Sequence, residues 1–349
     1  MRSTMKFNTF KRVKKLTNQE ILTEIELLEK VDYTALFNKE IPYHIFGYVH
    51  TFRVISDGLH LSLLKQFVGG LLAGIWISFA YTAISFSTYS IDNSSVAKIL
   101  TGFIFIGSMV LILFLGGGFL TAYLWYSRAM FKGVEKWSVF LKACWWVYLG
   151  NITGIGFFVA IFYLSDGYAS DDNLLLTKIY ENYGLNKMGI IGNRLKTSSA
   201  ISGTDVFKTI GTVFGSAVLC GLLICVAIQG SKSTKGDIVA SIMVLACIVV
   251  FFGIGGYQHC VANWYAAWVI IFMTLDNQQE LLTLTFNNNT FWWYILINIF
   301  PSIIGNFVGS LIIGLFMSWF NADYDHLLIK NARLNFLKET LKMRDNRDK

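Results

Sequence analysis

No aspartate or glutamate falls inside any of the six long apolar segments of this 349-residue chain. A cation pathway or an acid-base enzyme within those segments would need buried carboxylates, so their absence argues against both. Charged residues are scarce throughout, at 15% of the chain against 54% hydrophobic, and the mean hydropathy is +0.52. That composition is too apolar for a soluble globule of this size and describes a polytopic membrane protein. The cysteines, Cys144, Cys220, Cys225, Cys247 and Cys260, contain no C-x-x-C pair and all lie in apolar segments. This argues against a disulfide or metal framework; the thiols read as small packing groups, and no cofactor is expected. Residues 1–15 hold six Lys/Arg, but no apolar run follows before Lys65. A cleaved signal peptide is therefore not expected, and the first span serves as its own insertion signal.

What the chain does contain is spans, placed at 66–87, 99–126, 137–164, 206–229, 238–275 and 291–320. Each reaches the roughly 20 residues that a helix needs to cross a hydrocarbon core. They divide the chain into a cytoplasmic N-terminal helical segment (1–65), a six-span channel domain (66–320) and a cytoplasmic C-terminal tail (321–349) read as a solvated helix. With both termini inside, the inner segments 1–65, 127–142, 230–237 and 321–349 carry 23 of the 29 Lys/Arg. The outer segments carry Lys98, then Lys178, Lys187, Arg194 and Lys196 in the long 165–205 connection, and none at 276–290. This is the positive-inside pattern of an even number of spans. The net charge of +7 therefore reflects topology in a cell (plasma) membrane, with the lipid bilayer as partner. Because the basic residues are interleaved with acids such as Glu20, Glu24 and Glu26, no nucleic-acid partner is expected.

The halves echo each other. Leu149-Gly150-Asn151-Ile152-Thr153-Gly154 in the third span and Ile304-Gly305-Asn306-Phe307-Val308-Gly309 in the sixth repeat a G-N-x-x-G motif. Glycine clusters recur in the second span (Gly116-Gly117-Gly118) and the fifth (Gly253, Gly255, Gly256), and Gly69/Gly74 in the first span correspond to Gly215/Gly221 in the fourth. Three spans per half make the second half enter from the opposite side, so an all-α fold with an inverted 3+3 repeat is expected. A straight helix over 238–275 would run about 57 Å, nearly twice the ~30 Å hydrocarbon core. The glycine clusters beside Thr121 and His259 are therefore expected to break the second and fifth helices, whereas Gly69/Ala73 and Gly150/Gly154 read as close-packing faces.

His259 is the one ionisable side chain deep inside these spans. A titratable group at that depth marks a path for substrate, ion or proton by default, with a packing histidine as the bland alternative. Pairing it with Cys260 as base and nucleophile is disfavoured, because adjacent helical residues do not face each other. Upstream, Thr17 and Glu20 have capping-box spacing, followed by Ile21, Leu22, Ile25 and Leu28 at helical intervals. They predict either a helix packed under the pore or an interfacial one.

Gly256-Tyr257-Gln258-His259-Cys260-Val261-Ala262-Asn263-Trp264 resembles the signature of the formate/nitrite transporter family. The likeness extends through Trp146-Val147-Tyr148-Leu149-Gly150-Asn151, Leu219-Cys220-Gly221-Leu222 and Asn298-Ile299-Phe300-Pro301, covering about residues 63–320. The resemblance implies an aquaporin-like protomer in a homopentamer, each copy carrying small monovalent acid anions such as formate, lactate, nitrite or hydrosulfide. It places His259 at the pore centre with Thr121 as hydrogen-bonding neighbour and Asn263 close by. It assigns an outer constriction to Phe105, Met109 and Phe252, an inner one to Phe119, Leu120 and Ile224, and polar pore positions to Gln258 and Asn306. Gln258, Gly118 and Gly221 depart from the residues usual in the family. For the vestibule lysine the candidates are Lys208 and Lys196, with Asp205 at the gap-free position.

The chemistry stands beside the resemblance. A small anion entering an apolar constriction loses its hydration at great cost, which neutralisation avoids. His259 either supplies the proton or stays neutral and donates a hydrogen bond while water supplies it; both couple transport to protons. The expected function is thus a proton-linked channel or transporter, not an enzyme. The rivals are a passive pore for water or neutral solutes and, behind it, a membrane enzyme built on His259 and Cys260.

Overall fold

The computed structural model describes residues 16–169, 174–275 and 288–346. The basic stretch at 1–15 and most of the 276–290 connection lie outside the described residues. Every regular element among the described residues is helical.

α1 (Asn18–Glu29) and α2 (Tyr43–Leu59) precede the first span, α3 (Leu63–Thr88). The second span is α4 (Ser94–Leu115), continued after a non-helical stretch by α5 (Leu120–Leu124) and α6 (Ser127–Phe131). α7 (Trp137–Leu164) is the third. Short helices α8 (Leu174–Ile179) and α9 (Gly189–Lys196) fold within the long connection before α10 (Gly203–Lys232), the fourth span. α11 (Ile238–Gly255) and α12 (Trp264–Leu275) share the fifth. α13 (Asn288–Tyr294) runs through a π-turn into α14 (Phe300–Phe320), and α15 (Ala322–Asp345) completes the described chain. Six of these helices are long and apolar enough to cross a membrane.

Small residues decide how the spans approach one another. A Cβ on Gly150 would lie 2.2 Å from the Phe67 carbonyl, and one on Gly154 2.1 Å from that of Leu71, so α3 and α7 meet backbone to backbone. The second half packs in the same manner, with Gly221 against the Asn306 carbonyl of α14 and Gly309 against that of Val218 on α10. Between the halves Gly253 of α11 meets Gly102 of α4. Lipid gives helices no hydrophobic drive to associate, so such dispersion contact at close range holds them together.

At the end of the bundle where the chain enters and leaves, α1 is capped as its sequence predicts: the Thr17 hydroxyl accepts the Glu20 N–H and the Glu20 carboxylate accepts that of Thr17. Its apolar face, Ile21, Ile25 and Leu28, packs against Leu334 and Leu337 of α15. The C-terminal segment is thus a helix, but it is not simply solvated, because its heptad-like Leu face finds α1 as a partner. Arg333 joins the pair, donating to both Glu24 oxygens at 2.9 and 3.1 Å and to the Gly133 carbonyl at 3.1 Å. Deeper in, the fully buried Asp325 binds Arg128, Lys132, Tyr48 and Ser318, tying α15 to α2, α6 and α14. Burial alone would raise the Asp325 carboxyl, but Arg128 and Lys132 outweigh it and hold it below the ordinary carboxylate value. Arg128 is enclosed by the rings of Trp125, Tyr48 and Phe52.

His60, between α2 and α3, lies 3.0 Å from Glu135 and 3.5 Å from Glu339 of α15. The hydrogen bond to Glu135 raises its imidazole above the ordinary value against the effect of burial, and the charges of Glu135, Glu339 and Asp57 add to it.

Replacing Asp325 by Asn leaves the buried Arg128 and the half-buried Lys132 unbalanced and is expected to cost about 3 kcal/mol or more. Thermal unfolding of the purified protein in detergent measures this, and an unshifted midpoint would show that the cluster is not a structural anchor. The His60 clasp should be fully formed below the ordinary imidazole pKa of ~6.5 and fade as pH rises through its higher folded value. Amide exchange in α15, corrected for intrinsic rates, is expected to quicken over that rise in the native protein but not in His60→Gln. Equal protection of α15 in both proteins at every pH would remove the clasp.

Candidate functional site

Backbone groups freed where a helix is interrupted at membrane depth must be satisfied by protein. At the first interruption Gly116 takes φ 86°, a region that disfavours side chains, and the Gly118 N–H donates to the Gly69 carbonyl at 2.9 Å. Asn151 of α7 spans this stretch. Its Nδ2 donates to the Gly118 carbonyl at 2.7 Å and the Gly70 carbonyl at 2.9 Å, and its Oδ1 accepts the Leu120 N–H at 3.2 Å. At the second, α11 closes on Gly256 in the left-handed region, and Asn306 of α14 repeats the arrangement. Its Nδ2 donates to the Gln258 carbonyl at 3.0 Å and the Ala217 carbonyl at 2.7 Å, and its Oδ1 accepts the Cys260 N–H at 2.9 Å. Both asparagines are fully buried. The amide of Asn306, expected at a polar pore position, is therefore committed to backbone. Asn151 escaped the sequence reading as a site residue although the repeated G-N-x-x-G motif contains it.

His259 lies in the second interruption and is 2% exposed. Its Nδ1 accepts the N–H groups of Val261 and Ala262, both at 3.1 Å. Those donors assign the proton of the neutral ring to Nε2, which then donates to Thr121 Oγ1 at 3.4 Å. The imidazole sits between two aromatic rings, Phe252 with centroids 6.0 Å away and Phe119 at 5.6 Å. Phe105 packs on Phe252 at 5.4 Å. Met109, Leu120 and Ile224 are buried in the same continuous core. Cys260 is buried too, and its backbone N–H is the one held by Asn306.

Beyond Phe105 and Phe252 opens a cavity of about 560 Å³, lined also by Tyr81, Lys187, Tyr257 and Gln258. Lys187 Nζ donates to the Gly256 and Tyr257 carbonyls at 2.9 and 3.0 Å, at the C-terminal end of α11 where the helix dipole favours a cation. No carboxylate among the described residues pairs with it. Burial pushes its ammonium down to about 8, which leaves it mostly cationic at neutral pH. Its backbone is held by amides: Gln258 Nε2 and Asn298 Nδ2 both donate to the Lys187 carbonyl, at 3.1 and 2.9 Å. Asn263 completes this network, donating to Gln258 Oε1 at 2.9 Å and Asn298 Oδ1 at 2.7 Å. Asn263 thus serves the Lys187 support, and Gln258 supplies the N–H donor that a carboxylate there would lack.

Lys187 was not singled out from the sequence. Of the lysines that were, Lys208 is exposed on α10, and Lys196 lies 3.6 Å from Glu181. Asp205 caps α10 and pairs with Arg194 at 3.3 Å. Only contact with the α11 terminus distinguishes Lys187 from these, and no local pattern records it.

At roughly 1–3 kcal/mol for each stranded buried group, Asn151→Ala and Asn306→Ala are each expected to lower the melting temperature by several degrees. Asn306→Asp, which keeps the acceptor but loses both donors, should be destabilised as well. Wild-type melting of all three in detergent would show that the interruptions hold without their amides.

A family model described as Formate/nitrite transporter matches residues 50–320. The Formate channel FocA of Escherichia coli (strain K12) is 24% identical over 261 residues, covering 72% of this chain and 85% of that protein. The Formate-nitrite transporter of Entamoeba histolytica is 25% identical over 307 residues, covering 84% and 77%. Among solved structures, one titled as a pentameric formate channel with formate bound aligns with TM-score 0.56 at 22% identity, covering 75% of this chain and 97% of that one. An FNT family ion channel aligns with TM-score 0.59 at 18% identity, covering 78% and 96%. The two solved structures share the fold of this chain. The chain belongs to the formate/nitrite transporter family, a family of multi-pass membrane transport proteins and not of enzymes.

Proposed function

We propose that the chain is a proton-linked channel for small monovalent acid anions, formate, lactate or a similar monocarboxylate first, nitrite or hydrosulfide next. It would act as a homopentamer of inverted 3+3 protomers in the cell membrane, with both termini cytoplasmic. The observation that supports this reading is a succession of neighbouring groups: a lysine in the cavity lining with no carboxylate partner among the described residues, two aromatic rings that also line the cavity, and an imidazole against the second of them. Lys187 concentrates the anion. The Phe105 and Phe252 rings exclude it while charged, since apolar narrowings reject ions by dewetting. Taking up a proton removes most of that barrier.

The role of His259 in this reading is that of a neutral donor. A second proton on Nδ1 would point at two backbone N–H groups, whereas the Nε2–H, which meets Thr121 Oγ1 only at a long 3.4 Å, can turn to a passing acid, and the Thr121 hydroxyl keeps its own proton to donate. Water in the cavity then supplies the travelling proton. With the family being one of transporters, the enzyme reading of His259 and Cys260 falls away.

Uptake of labelled formate, lactate, nitrite and hydrosulfide into proteoliposomes tests the proposal. Influx should rise as external pH falls at constant anion concentration; flux independent of pH would overturn proton linkage, and movement of water or neutral solutes alone would favour the passive pore. His259→Asn keeps an acceptor for the Val261 and Ala262 N–H groups, so it should assemble. It is expected to lose pH-coupled uptake about tenfold or more and to pass ionic current. Wild-type coupled uptake by an intact His259→Asn oligomer would exclude the imidazole from the mechanism.

A further inference from the structure

Five tyrosines gather near the cavity, Tyr81 and Tyr183 in its lining and Tyr168, Tyr265 and Tyr294 next to them, and their hydroxyls are treated differently. The Tyr265 hydroxyl bonds Thr82 at 2.9 Å and Tyr168 at 3.1 Å, and that of Tyr294 donates to the Tyr183 and Asn263 carbonyls at 2.9 and 3.1 Å. Tyr81 of α3 is 7% exposed, yet its hydroxyl makes no hydrogen bond among the described residues. Buried tyrosine hydroxyls ordinarily find a partner, because an unserved one forfeits its hydration for nothing.

The ring of Tyr81 is tightly fixed. It stacks on Tyr265 with centroids 5.2 Å apart and an interplanar angle of 25°, and meets Tyr183 edge-on at 5.2 Å and Phe105 edge-on at 5.6 Å. Tyr81 lines the same cavity as Lys187, and its oxygen is not among the buried atoms walled off without a partner. A rigid donor therefore opens into the cavity directly beside the first aromatic ring of the constriction. Its ring touches Phe105, and Lys187 lines the same cavity.

We infer that Tyr81 is an anion-binding residue of the vestibule, its hydroxyl donating to an oxygen of the small acid anion before the constriction. The inference rests on the transport reading above and adds the second point of contact that a single ammonium lacks. Lys187 attracts any anion by charge. The fixed Tyr81 hydroxyl replaces one water of the anion's shell at a defined position, so the loss of hydration begins before Phe105. A hydrogen bond to a charged group is among the stronger ones, so its removal should be measurable in affinity.

The test is Tyr81→Phe, which keeps the ring and its three aromatic contacts while removing the hydroxyl. Initial uptake of formate and lactate into proteoliposomes would be measured over a range of concentrations for wild type and variant, with oligomer yield and osmotic water flux on the same preparations. The half-saturation concentration is expected to rise roughly fivefold or more with maximal rate, yield and water flux unchanged, as loss of ground-state binding requires. Tyr81→Ala, which also removes support from Phe105, should alter maximal rate as well. An unchanged half-saturation concentration in Tyr81→Phe alongside active wild type would overturn the role of Tyr81 alone. A wild type that moves neither anion would overturn the transport reading and this inference together.

Discussion

The molecule depends on satisfying interrupted backbone inside an apolar bundle. A helix that stops at membrane depth strands N–H and C=O groups where no water reaches them, at several kcal/mol each. Asn151 and Asn306 meet that constraint with one amide apiece, each serving a carbonyl and an N–H of its interruption and a carbonyl of the neighbouring span. Because the same side chain fastens the loop and the packing partner, the position of His259 is fixed by rigid helices. The close glycine contacts of α3 with α7 and of α10 with α14 are what bring those amides within reach.

Charge is placed where that scaffold can hold it. At one end the Lys187 ammonium is bound, among the described residues, by carbonyls at the α11 terminus, and neutral amides carry its backbone. Its charge is therefore directed to the cavity instead of being cancelled by a neighbour. At the other end Asp325 gathers Arg128 and Lys132 into a buried cluster that fastens α15 to the bundle, which is structural electrostatics of the opposite kind. Between them, among the described residues, lie the Phe105, Phe252 and Phe119 rings, the apolar side chains of Met109, Leu120 and Ile224, the His259 imidazole and the Thr121 hydroxyl.

Much of this was legible in the residues. Apolar block lengths gave the six spans within a few residues, since hydrophobic thickness leaves little choice of length. The G-N-x-x-G repeat marked both clamps, and the Thr17–Glu20 spacing marked the start of α1. The readings that fell short share a cause. Asn306 was read as a pore residue because its chain position says nothing of what its amide meets. The 321–349 segment was read as solvated because α1, which covers it, is some 300 residues away in sequence. Gln258 was assigned a polar pore position by resemblance, and nothing in the chain pattern records that its amide meets the Lys187 carbonyl and Asn263.

The sequence by itself determined the solvent, the number of spans, the positions where helix must give way and the identity of the one deep imidazole. These follow from local composition, because lipid imposes the same demand on every residue it contacts. Tertiary structure alone decided which lysine faces the cavity, which nitrogen of His259 holds the proton and which tyrosine hydroxyl is left to the cavity. Each depends on a contact between distant segments, and one of several chemically equivalent side chains is selected only by where the packed helices leave a partner or withhold one.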